Sequence, residues 1–411
     1  MIKMFMDLFP TPQEALTLIL GHTLNFPLEN ISITTALNRI IHQDIITHFP
    51  QPPFDKSAMD GFAYHSDDLS SSVGKSFHVH TQTISAGQVF SGKLAADECL
   101  RIMTGAPIPS GCNAVHRLEF TRTNADGTVT FTKNETSSNI IFKGQNQAAG
   151  SMLLGPRMLK SMDIALLASA GIESVDVVQQ PKVGIISTGD ELLPAGQAWK
   201  EGFIYDSNSY FLSCALRQMN IPCIFYGIVK DNEQDLKNAC TKAFFECDIV
   251  LFSGGVSMGD FDLVPGILAD LHVRQILHKV RLKPGKPLYF GRLEKQAVFG
   301  FPGNPVSNFV CFELFIKPYL HQCMGIDYKA QEFMIPMAQE YTRKEADREE
   351  YLCARLGKGQ DGQLTAETLT YRGSSMLSVL AQADILIRLD IDKKHFAKGE
   401  LVHARLISER N

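Results

Sequence analysis

The sequence predicts a multidomain protein of the α/β plus β class. A central, doubly wound α/β domain is expected between a β-rich N-terminal part and a small C-terminal β domain. Three observations carry this reading. Between about residues 180 and 325, apolar runs of about five residues are each followed by a stretch with helical spacing, the signature of a parallel sheet covered on both faces. From about residue 330 the helical spacing stops and short strand-like runs replace it. The length, 411 residues, leaves room for about three domains.

The elements follow in order. Thr11 and Pro12 start an amphipathic helix predicted to run to Thr23. Short β-rich stretches, such as Ser76 to Ile84 and Gly127 to Lys133, are broken by Gly, Pro, Ser and Asn, and a helix over Ser161 to Ser169 closes this part. In the central part, strands are predicted at Val183 to Ser187, Cys223 to Val229, Asp248 to Phe252, Pro287 to Phe290 and Ala297 to Phe301. Helices are predicted over Ser207 to Met219, Glu233 to Phe245, Phe261 to Leu271 and Asn304 to Gln322. Near the C-terminus, Tyr351 to Leu356, Gln363 to Leu369, Ala383 to Leu389 and Leu401 to Ile407 read as strands, with turns at residues 359–362 and 398–399.

Composition excludes several function classes. Hydrophobic residues are 45% and charged residues 20%, ordinary for a globular chain. A net charge of −5 gives no cationic surface for a nucleic-acid partner. No run approaches the roughly 20 apolar residues of a membrane span. Asp7, Pro10, Pro12 and Glu14 interrupt the start, so no targeting segment is expected. The nine cysteines are odd in number and form no CxxC pair, which fits a reducing cytoplasm and neither a disulfide framework nor a structural zinc site. G-x-G-x-x-G, Walker A, H-E-x-x-H and G-x-S-x-G motifs are all missing.

Three loops of the central part follow strands, where an open parallel sheet places its ligand crevice. The first holds Ser187, Thr188, Gly189, Asp190 and Glu191. The second runs from Ser253, Gly254 and Gly255 through Ser257 to Asp260 and Asp262. The third holds Pro302, Gly303, Asn304 and Pro305 and opens a helix. Glycines admit close backbone approach, and free N–H groups at a helix start favour anions. Asp206 and Asp231 add two more acids. Several carboxylates at one edge repel unless a cation sits among them, and Mg²⁺ with a phosphate-bearing ligand resolves this. Taken singly, Asp206, Asp260 and Asp262 read equally well as helix caps. The segment from Lys279 to Lys286 carries four cations in eight residues. If extended, it presents Lys279, Arg281 and Lys283 on one face, as an oxyanion site or as a guarded sheet edge. Two compact motifs precede these: Ser57-Ala-Met-Asp60-Gly and Arg101-Ile-Met-Thr104-Gly-Ala-Pro.

Together with Gly144-Gln-Asn146, Tyr205-Asp-Ser-Asn208, Lys283-Pro-Gly-Lys-Pro, Pro302-Gly-Asn-Pro-Val-Ser and Gly373-Ser-Ser-Met-Leu, these motifs resemble the MoeA-like molybdopterin molybdenumtransferases, the molybdenum insertases that include the gephyrin E domain. The resemblance implies four parts. These are an elongated N-terminal domain (1–45 and 141–177), a β-rich insertion (46–140), a molybdopterin-binding α/β domain (178–326) and a C-terminal β domain (327–411). It implies insertion of molybdenum from molybdate into adenylated molybdopterin with release of AMP, aided by Mg²⁺, in a cytoplasmic homodimer. A molybdopterin adenylyltransferase and recipient molybdoenzymes are implied as further partners. By motif, Asp60, Thr104, Glu191, Asp231, Asp262, Lys279 and Lys283 match the family's site, with Glu191 and Asp262 as metal ligands. The homodimer sets Asp60 and Thr104 against the α/β domain of the second copy.

One departure stands out. After Gly-Gln-Asn the family carries an Arg-containing turn and Gly-Glu-Asp, whereas here Asn146 runs directly into Gln147-Ala-Ala-Gly-Ser. Asn113 and His116 also replace a common acidic and a common apolar residue. The alternative reading is therefore a non-catalytic homologue that binds molybdopterin as carrier or scaffold.

Overall fold

The structure is a computed structural model that describes residues 9–67, 69, 72–256, 263–359, 362–369, 373 and 375–407. Thr11 caps the first helix, Pro12–Leu20. Its hydroxyl accepts from Glu14 N, and the Glu14 carboxylate returns to Thr11 N, a capping box that fixes the start. Four short antiparallel pairs then form a narrow ribbon. Leu28–Ser32 lies on Ser174–Val178, Ile40–Ile41 on Arg157–Met158, Ile45–Ile46 on Met152–Leu154, and Lys56–Ser57 on Ile140–Ile141. Between the two arms of the last pair, the chain forms a six-stranded sheet. Its order is Ala114–Arg117, Gly61–Tyr64, Glu98–Ile102, Ser76–Ile84, Thr128–Phe131, Thr121–Thr123.

The central sheet has the order Cys223–Val229, Val183–Thr188, Ile249–Ser253, Ala297–Phe301, Tyr289–Arg292, Arg274–His278. The first four strands are parallel. The last two make the sheet mixed: Tyr289–Arg292 runs antiparallel to Ala297–Phe301 and Arg274–His278 antiparallel to it. The cause is the tight connection Leu293 to Gln296, closed by reciprocal backbone hydrogen bonds, which is too short for a parallel crossover. Val183, Ile185, Ile249, Leu251 and Phe299 are fully buried beneath Leu212, Leu216 and Phe315, while Ile186, Val250 and Val298 face Leu236, Val264 and Leu268. Helices thus cover both faces, which is what the continuous apolar runs require.

One predicted helix is broken in the structure. The helix expected over Asn304 to Gln322 is interrupted: Pro305–Cys311 and Lys317–Cys323 are α-helical, and Phe312–Ile316 is a π turn. Pro318 lacks the N–H that would continue the ladder, and a π turn relieves that break. The C-terminal part is a mainly antiparallel sheet of Glu332–Pro336, Leu401–Leu406, Ile385–Leu389, Glu349–Lys358 and Leu364–Thr368 around Leu352, Ile387 and Phe396. Leu282–Lys283 adds to this sheet beside Glu349–Lys358, in parallel, and so joins it to the central domain.

Candidate functional site

The three predicted loops meet at the carboxyl edge of the parallel strands. Gly254 N donates to Phe301 O at 3.0 Å. Gly254 and Gly255 have φ of +96° and +67°, and a Cβ on Gly254 would lie 2.5 Å from the Thr188 carbonyl oxygen. A Cβ on Gly255 would lie 2.7 Å from Thr188 Oγ1. Only glycine allows the 253–255 turn to close over Thr188 in this way. Asn208, which the Tyr-Asp-Ser-Asn motif contained but the sequence reading did not single out, ties the edge together. Its amide donates to Ser253 Oγ (2.9 Å) and to Gly303 O (2.7 Å). Pro302 is buried beside the exposed Gly303 and Asn304, and Asn304 stands at the N-cap position of the helix that starts at Pro305, without a side-chain capping hydrogen bond.

Several predicted contacts serve the scaffold instead. Asp206 is buried and accepts from Ser187 Oγ (2.9 Å), Ser209 Oγ (2.6 Å) and Ser209 N (3.1 Å). It therefore caps the helix Asn208–Gln218 and pins the end of Val183–Thr188, and Ser187 points inward to it. Ser253 is likewise buried, its hydroxyl engaged by Asn208. Thr188 differs: it is 4% exposed and, among the described residues, its Oγ1 has no hydrogen-bond partner although it lies directly beneath the glycine turn.

The carboxylates at this edge are open to solvent. Glu191 and Asp190 are exposed, and Asp190 Oδ1 accepts from Asp231 N at 3.2 Å. The Glu191 carboxylate folds back over Gly189, 2.7 Å from where a Cβ would stand. Ser257, Asp260 and Asp262 lie outside the described residues. Among the described residues, no three of the metal-binding types gather into a cage. Mg²⁺ is usually held by one or two carboxylates plus substrate phosphates, and Glu191 offers a hard oxygen donor of that class.

The cationic segment does not present one face. Lys279 has φ +76°, so the backbone turns there and the strand alternation is lost. Lys279 and Lys286 sit over the ring of Phe9, at 5.4 and 5.8 Å from its centroid. Arg281 donates to Asp347 O. Lys283 Nζ lies 2.8 Å from Glu350 Oε1, and Glu350 is 2% exposed with Arg343 on its other side. Sequence spacing gives no signal for Glu350, because its partner lies far along the chain.

Asp60 and Thr104 meet as neighbours of adjacent strands. Thr104 N and Oγ1 donate to Asp60 Oδ1 at 2.7 and 2.8 Å. The backbone and then the hydroxyl hydrogen bond hold this exposed carboxyl below its ordinary range. After Asn146 the chain turns straight back. Asn146 N and Gln147 N donate to Gln51 O, Gln51 N donates to Gln147 O, and Gly150 N donates to Thr47 O. No charged residue occurs from 144 to 156. The two other departures have structural uses: the Asn113 amide pairs with both backbone groups of Ser66, and His116 stacks on Phe131 at 3.7 Å.

Comparison with known proteins matches this architecture segment by segment. Residues 11–171 match the family described as MoeA N-terminal region (domain I and II), 184–322 a probable molybdopterin binding domain, and 337–407 the MoeA C-terminal region (domain IV). Two crystal structures of the molybdopterin biosynthesis MoeA protein from Pyrococcus horikoshii superpose with TM-scores of 0.81 and 0.80. They share 27% and 29% identity, covering 98% and 97% of this chain and 100% of each of those chains. The molybdopterin molybdenumtransferase of Staphylococcus epidermidis is 30% identical over 97% of this chain and 96% of its own. That of Haemophilus influenzae is 34% identical over 390 residues, 92% of this chain and 94% of its own. At that identity and coverage, with the three regions in order, the chain belongs to the molybdopterin molybdenumtransferase (MoeA) family.

Proposed function

We infer that the chain is a transferase of molybdenum cofactor biosynthesis, which joins molybdenum from molybdate to molybdopterin. The observation that carries this reading is the convergence of the Thr188, Gly254 and Gly303 loops at one edge, tied by Asn208. In the finer reading the substrate is adenylated molybdopterin and AMP leaves. The glycine turn, Thr188 Oγ1 and the 302–305 helix start would seat the phosphate-bearing part. Lys279 and Lys283 would attract molybdate and neutralise phosphate charge, Asp231 would stand at the rim, and Glu191 with Asp262 would hold Mg²⁺. The ion would supply charge neutralisation when bound. The work of the protein is positioning and electrostatic stabilisation.

We place the protein in the cytoplasm as a homodimer, with Asp60 and Thr104 completing the site on the second copy. The domain division 1–45 with 141–177, 46–140, 178–326 and 327–411 belongs to the same proposal. All nine cysteines are free, which suits a reducing compartment, and no described helix is long and apolar enough to cross a membrane. An adenylyltransferase would supply the substrate and molybdoenzymes would receive the product. The uncharged 144–156 turn favours a second reading, a carrier that binds molybdopterin without turnover. One experiment decides: purified chain is mixed with adenylated molybdopterin and Mg²⁺, and molybdate is added. AMP release is expected. Tight binding with no AMP released would overturn the transferase in favour of the carrier.

A further inference from the structure

A second polar cleft lies at the other end of the central sheet. It is an open cleft of about 470 Å³ lined by His22, His272, Arg274 and Arg292, with Glu294 on one wall. Its position is fixed by register. Arg274 pairs with Arg292, Arg292 with Ala297, and Ala297 with Ile249, the first residue of its strand. The cleft is therefore at the amino ends of the parallel strands, whereas the Thr188, Gly254 and Gly303 loops follow their carboxyl ends.

Arg274 and Arg292 stand directly opposite each other on neighbouring antiparallel strands. Like charges in that relation repel, and a sheet ordinarily avoids them or inserts an acid. Here, among the described residues, no ion pair joins either guanidinium to a carboxylate, and Asp270, two residues before His272, is taken by Lys237 at 2.8 Å. Arg292 is nonetheless held in place. It donates to His22 O (3.1 Å), Tyr319 Oη (3.4 Å) and Glu294 O (3.5 Å). His272 adds a second unusual choice. It ends the helix Val264–Asp270 at φ +62°, a left-handed position that glycine normally fills. Its imidazole lines the same cleft.

We propose that this cleft is a separate anion site that takes the phosphate group of a small molecule. One guanidinium held by hydrogen bonds, Arg292, a second exposed one facing it, Arg274, and two imidazole donors match a tetrahedral oxyanion. The volume is larger than a bare phosphate needs and falls within the range of small-molecule pockets.

The test follows the ring signals of His22 and His272 by NMR in the full chain, titrated with inorganic phosphate and, separately, with ribose 5-phosphate, at ionic strength matched by chloride. Saturable shifts of both rings in the millimolar range or below are expected. Arg274→Ala should weaken binding roughly tenfold to a hundredfold, the loss expected for one charge-assisted contact. Arg274→Lys should retain part of it, and Lys283→Ala should leave it unchanged. Tighter binding of ribose 5-phosphate identifies a phosphomonoester as the ligand, and equal binding identifies free phosphate. Shifts that chloride reproduces, shifts indifferent to Arg274→Ala, or loss of the shifts in Lys283→Ala each overturn the proposal.

Discussion

Lys283 shares its charge with a carboxylate that has almost no access to water. Glu350 is 2% exposed, and Arg343, 1% exposed in its side chain, balances it while donating to the carbonyls of Lys393, Arg348 and Asp390. Removing the carboxylate strands a buried guanidinium, whereas removing Lys283, 43% exposed, still leaves Arg343 in place. Glu350→Gln is therefore expected to cost about 3 kcal/mol or more of stability. Lys283→Ala should cost about 1 kcal/mol or less. In denaturant titrations, equal losses would refute this ranking. Ligand affinity should move the other way, with Lys283→Ala losing roughly 1.5–3 kcal/mol toward molybdate or adenylated molybdopterin. His116 gives a pH prediction. Burial pushes its pKa below the ordinary value. The unfolded chain takes up the proton first as pH falls, so stability present above about pH 6.5 is lost as pH drops through the window toward the depressed folded value. His321 acts in the same direction. His116→Phe should flatten, without abolishing, the fall in urea midpoint between about pH 7 and 5, and an unchanged slope would exclude it.

At the scale of elements, the site depends on loops that lock each other. Gly255→Ala must adopt a left-handed backbone costing about 1–2 kcal/mol, and its methyl would press on Thr188 Oγ1 and on Val264 Cγ2, 2.8 Å away. Asn208→Ala leaves Ser253 Oγ and Gly303 O short of a donor, a loss of about 1–3 kcal/mol. Both variants should lose molybdopterin affinity while the far end of the sheet keeps its hydrogen-exchange protection, and uniform loss of protection would contradict a local lock. The elements that were legible in sequence are those where one periodicity dominates. Ser76–Ile84 and Ser161–Ser169 match their predicted bounds, and the strands leading to Thr188, Ser253 and Phe301 stand within a residue or two of theirs. Arg274–His278 was missed because its alternation merges into the charged run that follows, and the turn at Lys279 uses a lysine where glycine would have announced it. The uncharged turn after Asn146 was legible, and it carries its own prediction. One positioned charge in a preorganised site is worth ~10²–10³ in rate. Replacing residues 147–151 with a segment bearing Arg and Gly-Glu-Asp should raise AMP release more than affinity. Full restoration of molybdoenzyme activity by the unmodified chain, in cells lacking their own insertase, would show that other residues already supply the charge.

Across the whole molecule, the proposed site residues fall on two bodies joined by a narrow ribbon. Asp60 and Thr104 stand on the sheet inserted between Lys56–Ser57 and Ile140–Ile141, whereas Glu191, Asp231 and Lys283 stand on or beside the central sheet. If each site takes Asp60 from one copy and Glu191 from the other, inactivating substitutions at these two positions can complement. A two-fold dimer has two equivalent sites. A mixed dimer of Asp60→Ala and Glu191→Ala chains then concentrates both lesions in one site and leaves the other intact. Random assembly makes about half of the dimers mixed, so co-expressed variants should recover about a quarter of the wild-type AMP release. Each variant alone should remain inactive, and light scattering at micromolar concentration should give the mass of two chains. If the site is built within one chain, every site in the mixture carries one lesion and mixing restores nothing. A null result from dimers that demonstrably exchange subunits would thus return Asp60 and Thr104 to a role within their own sheet.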